Sequence, residues 1–324
     1  MGKWVIMGAV CLFALIGALS LFKSRGSQPV ASKQKETPVV FIPKTKTEPA
    51  VSATVARPSL PVKGDFPEID RIFQLFTTGS SKLPIVETLY YASSVPWLKG
   101  RPAWIADYAV YYNTSRHFIA RSLNGKPDYL TQTVSEKKAF NVFKKDKKIQ
   151  FHLLVDLSLC KMAFYYLDLD TQERVLLKTY SVGVGRLDPH SSSGCLTPTG
   201  HFKLGSKVAI YQPEVKGFYQ GQEVEMMRVF GTRWMPILLE SETETLKKGY
   251  GLQGAPWGTD SKTGEWIENQ EGIGGYSSDG CIRLKAADIE ELFAIILTKP
   301  TFVDIVKDFH VAKLPGTEVA VPSR

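Results

Sequence analysis

The change in hydrophobic pattern at Ile149 constrains the fold of this chain more than any other sequence feature. Apolar residues before it recur at helical spacing, whereas beyond it short apolar runs stand between turn signals, as over 151–156, 162–167 and 174–183. Runs rich in β-branched and aromatic residues, bounded by Gly, Pro, Asp and Ser, are typical of strands. We therefore predict an antiparallel, mainly β domain over 149–308 with one late helix, followed by a flexible tail over 309–324.

The late helix is predicted over 286–297, where the acidic residues share one polar face. Upstream, residues 65–148 predict a small, mostly helical module. Asp65 and Pro67 form a typical helix N-terminus, and further helices are expected over 84–92 and 103–123. Aromatic residues in this module could stack on sugars, although their helical spacing favours a role in the core. They are Tyr90, Tyr91, Trp97, Trp104, Tyr108, Tyr111 and Tyr112.

Residues 1–23 predict membrane targeting. Nineteen uncharged residues over 4–22 are flanked by basic residues, and this length suits an apolar helix that crosses a bilayer. A transmembrane anchor is favoured over a cleaved signal peptide, for which Ala18 and Ser20 offer a cleavage site. Because basic residues flank both ends, charge alone does not fix the orientation.

Residues 24–64 predict a disordered basic tether, since they are rich in Pro, Lys, Thr and Ser without a sustained period. The first 64 residues hold 9 basic and 2 acidic residues, so the rest of the chain has 31 basic and 30 acidic residues despite a net charge of +8. Nucleic-acid binding requires a concentrated basic face. The nearly neutral remainder therefore predicts no nucleic-acid partner, and the basic run over 137–148 is interpreted as solvated surface.

Several sequence blocks occur in an order that resembles a known family. They are Tyr180-Ser181-Val182-Gly183, Thr197-Pro198-Thr199-Gly200, Tyr250-Gly251-Leu252-Gln253-Gly254, Ser277-Ser278-Asp279-Gly280-Cys281-Ile282-Arg283-Leu284 and Thr301-Phe302-Val303-Asp304-Ile305. Together they resemble the YkuD-type L,D-transpeptidase catalytic domain over about 150–306. The resemblance implies a β-sandwich-like fold that acts on peptidoglycan stem peptides.

Cys281 is the candidate nucleophile. A thiolate attacks an amide carbonyl when it is partly ionised and lies beside backbone N–H groups that bind the developing oxyanion. Gly280 allows close backbone approach, and the N–H groups of Asp279, Gly280 and Cys281 are candidate donors. Arg283 could lower the pKa of the thiol or fix the loop. Taken alone, a cysteine between Gly and Ile would be an inert core residue, but the surrounding blocks favour a nucleophile.

The candidate base departs from the family pattern. The resemblance implies a histidine before a glycine upstream and a second histidine two residues before the cysteine, and these positions hold Gln253 and Asp279. Glutamine cannot accept a proton at neutral pH, and a carboxylate beside a thiol disfavours the thiolate. His190 or His201 could supply a base from another direction. The interval between the two motifs also carries an insertion over 260–265.

The resemblance further implies substrate binding by Ser277, Ser278, Tyr250 and Gly254. Three functions stay open: a transpeptidase in which Cys281 forms a thioester with a stem tetrapeptide, a related domain that binds without turnover, and a tethered adaptor. The first is favoured. A peptidoglycan substrate would place a single-pass protein in the cytoplasmic membrane with its catalytic domain in the periplasm or cell-wall space, or secrete it if the N-terminus is cleaved.

Other classes of site have little support in the sequence. No His/Cys/Asp/Glu spacing approaches a metal-binding set, and no glycine-rich loop opens a helix as phosphate binding requires, so no cofactor is expected. Three cysteines lie outside the apolar segment: Cys160, Cys195 and Cys281. Because three is an odd number, at least one of these thiols cannot be in an intramolecular disulfide. Cys195 is interpreted either as a noncatalytic partial repeat of the Cys281 motif or as a possible disulfide partner. The oligomeric state is not determined.

Overall fold

The computed structural model describes residues 66–126, 134–206, 208–239 and 249–320. The membrane segment and the tether predicted over 1–23 and 24–64 lie outside these residues, as does Asp65. Within the described ranges, no helix is both long enough and apolar enough to span a membrane.

The helices of the described residues are short. They are α1 (Phe73–Phe76), α2 (Ile105–Tyr111), α3 (Arg116–Asn124), α4 (Met227–Phe230) and α5 (Ala286–Ile296), with a 3₁₀ turn at Phe309–Val311. The strands are β1 (Val86–Tyr90), β2 (Ala139–Phe143), β3 (Ile149–Asp156), β4 (Lys161–Asp168), β5 (Glu173–Ser181), β6 (Val184–Gly185), β7 (Gly200–Leu204), β8 (Ala209–Ile210), β9 (Lys216–Tyr219), β10 (Gln222–Glu225), β11 (Arg233–Leu239), β12 (Gly251–Gly254), β13 (Trp257–Thr259), β14 (Trp266–Glu268), β15 (Tyr276–Ser278), β16 (Ile282–Leu284), β17 (Thr301–Val306) and β18 (Thr317–Glu318). The predictions of a mainly β domain and of a late helix are confirmed.

A ten-stranded sheet organises the domain. Its order is β16-β12-β11-β7-β17-β3-β4-β5-β18, with β8 beside β11. Strands β3, β4 and β5 pair antiparallel as predicted, but β17 runs parallel to β3 and β16 runs parallel to β12. The prediction of an antiparallel sheet is therefore wrong for these distant pairs. Local alternation of residues encodes a strand but not the direction of a partner that arrives after a crossover.

The central strands are buried on both faces. On one face, Phe151 and Leu153 pack in a core with Leu292 and Phe293 of α5. On the other, Leu154 packs with neighbours that include residues from both ends of the described chain. This two-sided burial explains why β4 is apolar without a break over 162–167 and why β3 is buried along nearly its whole length.

The region over 66–148 has fewer helical residues than the sequence predicts. Helices α2 and α3 lie within or next to the segment predicted over 103–123, and α3 is capped by Ser115 and ends at Gly125, whose φ is +77°. The helix predicted over 84–92 is wrong, because Val86–Tyr90 pairs antiparallel with β2. Its partner lies some fifty residues downstream, so the spacing within 84–92 could not reveal it.

The described part of this region shares the core of the β domain. Ile72, Leu75 and Phe118 belong to the same cluster as Phe151 and Phe293, and a smaller cluster that includes Tyr108 lies within the region itself. The core role favoured for the aromatic residues holds for Tyr108, which is buried.

The flexible tail predicted from residue 309 also needs correction over 309–320. Phe309 packs edge to face on Phe66 with ring centroids 4.8 Å apart, and β18 pairs with β5. Arg174 Nη1 donates to the carbonyl oxygens of three consecutive residues over 314–316. These contacts make 309–320 part of the domain. The sequence did not predict this because the segment has few apolar residues and is held largely by backbone pairing.

Candidate active site around Cys281

The two motifs of the predicted site meet at one edge of the sheet. In the parallel pair of β12 and β16, Leu252 lies opposite Ile282 and Gln253 lies opposite Arg283. Cys281, one residue before β16, is therefore level with Gly251. The fold thus brings together the two blocks that the sequence analysis selected.

Desolvation has the largest influence on the ionisation of the Cys281 thiol. It raises the pKa of Cys281 to about 12; a hydrogen bond from the Gly251 N–H and the charge of Arg283 oppose this rise, whereas Asp279 adds to it. The Sγ atom lies 3.8 Å from the carbonyl oxygen of Gly249. At pH 7, such a thiol is almost entirely protonated. The resting thiol is therefore a poor nucleophile.

The Gln253 side chain is buried and forms a structural hydrogen bond. Its side chain is 3% exposed, and Nε2 donates to the carbonyl oxygen of Val229 at 3.0 Å. This bond links β12 to α4. The carboxamide cannot take up the proton of the thiol.

Neither histidine considered as a replacement base hydrogen-bonds to the Cys281 thiol in the described structure. His201 Nδ1 pairs with the carboxylate of Asp304 across β7 and β17. The strand register places His201 three strands away from Cys281, which is about 14 Å across the sheet. It is also displaced by four residues, or about 13 Å, along the strand direction. His190 lies in an exposed loop where its backbone N–H donates to Asp188. The remaining histidines contact other groups: His117 with Phe293, His152 with Phe302 and His310 with Asp308.

The loop before Cys281 is held in a conformation that requires glycine. Gly280 has a φ of +119°, and a Cβ there would lie 2.6 Å from the Tyr250 ring. The Gly280 N–H donates to Ser278 Oγ at 3.1 Å, and Ser278 Oγ donates to the carbonyl oxygen of Cys281 at 2.6 Å. The Gly280 N–H is thus occupied, which contradicts its expected role as an oxyanion donor in this conformation. Asp279 and Cys281 stay predicted donors.

Asp279 connects the loop to two other segments. It accepts a hydrogen bond from Arg186 Nη2 at 2.5 Å and another from the Tyr219 hydroxyl at 3.3 Å. Tyr219 lies on the β9–β10 hairpin, sixty residues before Asp279. Sequence analysis missed Tyr219 and Arg186 because neither belongs to a motif and only the folded chain brings them to the loop.

A cavity of about 200 Å³ is lined by Arg283, Ser277 and Glu271. Its opposite wall is the 269–273 segment, which follows the β13–β14 hairpin that carries the predicted insertion. Among the predicted substrate-binding residues, Ser277 lines this cavity and Tyr250 flanks Gly280. Gly254 is instead buried against Gly231 and the 232 backbone, so its glycine serves packing.

The other two described cysteines are buried free thiols. Cys195 Sγ lies 3.5 Å from the carbonyl oxygen of Thr197, and burial raises the pKa of Cys195. Cys195 is therefore not in a disulfide with Cys160 in this structure. Within the described ranges, no group of three His, Cys, Asp or Glu side chains is arranged to hold a metal ion.

The family model of the L,D-transpeptidase catalytic domain, YkuD, matches residues 150–319. The chain belongs to this family. The match covers just over half of the sequence and confirms the resemblance assigned from the motif blocks. None of the curated proteins matches the sequence.

Two solved structures show weaker similarity. Bd1075 of Bdellovibrio bacteriovorus is 18% identical, with 48% of each chain covered and a TM-score of 0.31. The helical cell shape determining protein Pgp2 of Campylobacter jejuni is 16% identical, with 52% of this chain and 51% of that chain covered and a TM-score of 0.32. The matched region thus spans about half the length of each of these proteins.

Proposed function

We propose that the cleft around Cys281 binds peptidoglycan stem peptides without efficient acyl transfer. Membership of the L,D-transpeptidase family supports the substrate class. The observation that supports inefficient acyl transfer is the protonated state of the thiol, because burial raises the pKa of Cys281 to about 12. Gln253, which is hydrogen-bonded to Val229, cannot accept the thiol proton.

The energetic reason is the cost of forming the nucleophile. Ionising a thiol whose pKa burial raises to about 12 is strongly unfavourable at pH 7. A neighbouring imidazole would offset this cost by accepting the proton and forming an ion pair with the thiolate. Gln253 cannot do so, and Asp279 acts in the opposite direction because its negative charge disfavours the thiolate.

A second candidate is the L,D-transpeptidase reaction, favoured by the Gly251 N–H and the Arg283 charge, which both lower the pKa of Cys281. Cys281 Sγ would attack the carbonyl before the terminal D-residue of a tetrapeptide. The C–N bond would break, the thiol proton would pass to the leaving amine, and a thioester would remain. An amine of a second stem, or water, would then take the acyl group and regenerate the thiol.

Either candidate acts on peptidoglycan, and we propose the same location for both. The domain would lie in the periplasm or cell-wall space, attached to the cytoplasmic membrane by residues 1–23 through the tether over 24–64. Protease protection of the full-length chain in sealed membrane vesicles of known orientation tests this placement; degradation only after the periplasmic face is exposed is the expected result.

One pair of measurements separates the two candidates. Binding of a stem tetrapeptide to the full-length chain in detergent is measured by calorimetry for wild type and Cys281→Ala, and released products are identified by mass spectrometry. Equal binding without product supports our proposal. A thioester that Cys281→Ala loses and Cys195→Ala keeps establishes the transpeptidase instead. Failure of wild type both to bind and to react rejects both candidates.

A further inference from the structure

Three large apolar residues in and next to α2 lie at the surface of the protein. Trp104 is 67% exposed, Val110 is 83% exposed and Tyr111 is 37% exposed, and together they are called the α2 surface. The helix carries one charged residue, Asp107, which Arg101 neutralises through two hydrogen bonds of 2.6 and 2.7 Å. Because surface helices normally present charged residues to water, a surface of this kind is typical of an interaction site.

The α2 surface is held in place by neighbouring rings and bordered by lysines. The Tyr111 ring stacks on Trp97, with ring centroids 4.4 Å apart and planes inclined by 10°. Lys145 Nζ lies 3.6 Å from the centroid of the Tyr111 ring. Tyr91, in the same hydrophobic cluster as Trp97, donates its backbone N–H to the carbonyl oxygen of Lys138. Lysines from both halves of the basic run over 137–148 therefore border the aromatic cluster that supports α2.

The charge of the chain is divided unevenly at residue 148. Residues 65–148 hold 13 basic and 8 acidic residues, whereas residues 149–324 hold 18 basic and 22 acidic residues. The first 64 residues are basic as well, with 9 basic and 2 acidic residues. An anionic partner is therefore attracted to the part of the chain that carries α2 and is weakly repelled by the β domain.

The mixture of residue types indicates which anionic partner fits. Trp and Tyr favour the boundary between an apolar layer and water, because their rings are apolar and each carries one polar group. An exposed aliphatic residue such as Val110 suits an acyl layer better than it suits a sugar or a nucleic-acid base. Lysines beside such a surface are attracted to anionic headgroups. A bilayer with anionic lipid matches the aromatic, aliphatic and basic residues together.

We propose that the α2 surface docks on a bilayer that contains anionic phospholipid, with its aromatic rings at the level of the headgroups. The basic run over 137–148, interpreted from the sequence as solvated surface, would then lie beside the lipid phosphates. This interaction goes beyond the proposed function, because it concerns residues 65–148 and not the cleft around Cys281. A chain already attached by residues 1–23 would need little affinity for this contact, since attachment raises the local concentration of lipid.

The first test locates Trp104 in the bilayer. The full-length chain is reconstituted in vesicles of brominated phosphatidylcholine and phosphatidylglycerol, because bromine on the acyl chains quenches tryptophans at membrane depth. Trp104→Phe should remove about half of the quenched intensity, with Trp4 in the predicted anchor supplying the rest. Trp257→Phe, the matched loss of a half-buried tryptophan from the β domain, should remove none of it. In vesicles without phosphatidylglycerol, the Trp104 contribution should decrease at least twofold.

The second test changes the surface while it keeps the tryptophan. Val110→Asp places a negative charge on the α2 surface and should reduce the Trp104 contribution at least threefold. Val311→Asp is the matched control, since Val311 is 67% exposed and lies in the β domain, and it should have no effect. Thermal unfolding establishes that both variants are folded. Neither change touches the cleft, so stem-peptide binding measured by calorimetry should be unaltered, and the two proposals can fail independently.

Three results would overturn the proposal. The first is equal quenched intensity in wild type and Trp104→Phe. The second is a Trp104 contribution that is the same with and without phosphatidylglycerol. The third is cosedimentation with purified peptidoglycan that Val110→Asp weakens, without quenching of Trp104, which would assign the α2 surface to the cell wall.

Discussion

Replacing Gln253 with histidine should activate the Cys281 thiol. In wild type, burial raises the pKa of Cys281 to about 12 and the carboxamide of Gln253 is bonded to Val229. An adjacent imidazolium lowers the pKa of a thiol by about 1 to 3 units. Each unit increases the thiolate fraction about tenfold but lowers its intrinsic nucleophilicity about threefold, with a Brønsted coefficient of about 0.4 to 0.5.

The net gain is about threefold to fourfold per unit, so Gln253→His should accelerate alkylation of Cys281 at pH 7.5 by about 3-fold to 60-fold. The assay is the rate of iodoacetamide modification against pH, followed by intact mass and peptide mapping. Gln253→Leu is the matched control, because it removes the bond to Val229 without adding a base. An apparent thiol pKa below 8 in wild type would refute the reasoning, as would equal acceleration by histidine and leucine.

Three further predictions concern the fold that supports the site. Gly280→Ala should lower the unfolding free energy by about 1 to 3 kcal/mol, measured by denaturant unfolding, because position 280 has a φ of +119° and a Cβ there would lie 2.6 Å from Tyr250. Gly274→Ala is the control and should cost less, since nothing lies within contact distance of a Cβ at position 274. Burial lowers the pKa of His152 from 6.5 to about 4, so the unfolded chain takes up this proton first as pH falls. The contribution of His152 to stability should be constant above pH 6.5 and decrease by about 3 kcal/mol by pH 4. His117, whose pKa burial also lowers to about 4, should add a similar decrease, so a His152→Phe variant should lose only about half of the pH dependence that these two histidines produce. Ser115→Ala removes the N-cap of α3 and a hydrogen bond to the α5 backbone, and should lower the unfolding free energy by about 1 to 2 kcal/mol.

Local sequence patterns revealed the strands but not their partners. The runs at 151–156 and 162–167 predict β3 and β4 because strands buried on both faces are rich in apolar residues. The parallel pairing of β17 with β3 depends on a connection of more than one hundred residues, which no local pattern records. For the same reason, the helical spacing over 84–92 was misleading, since β1 is stabilised by the distant strand β2.

The candidate site was likewise only partly predictable from the sequence. The sequence blocks around Gln253 and Cys281 were assigned to one site, and the neighbouring strands β12 and β16 bring these blocks together. The state of the thiol could not be predicted, because it depends on how completely the surrounding backbone and side chains enclose it. Nor could the contacts of Asp279 with Arg186 and Tyr219, which come from segments far away in the chain.

Gln253 and Asp279 both have structural partners, and this bears on how readily the Cys281 thiol could be activated. Gln253 holds α4 through Val229, while Asp279 holds the β9–β10 hairpin through Tyr219. A histidine introduced at 253 must displace a buried hydrogen bond, and the charge of Asp279 would still disfavour the thiolate. The double variant Gln253→His with Asp279→His should therefore alkylate faster than Gln253→His alone, but unfold at a lower temperature because the hairpin contact is lost. Equal rates in the two variants would show that Asp279 has no influence on Cys281.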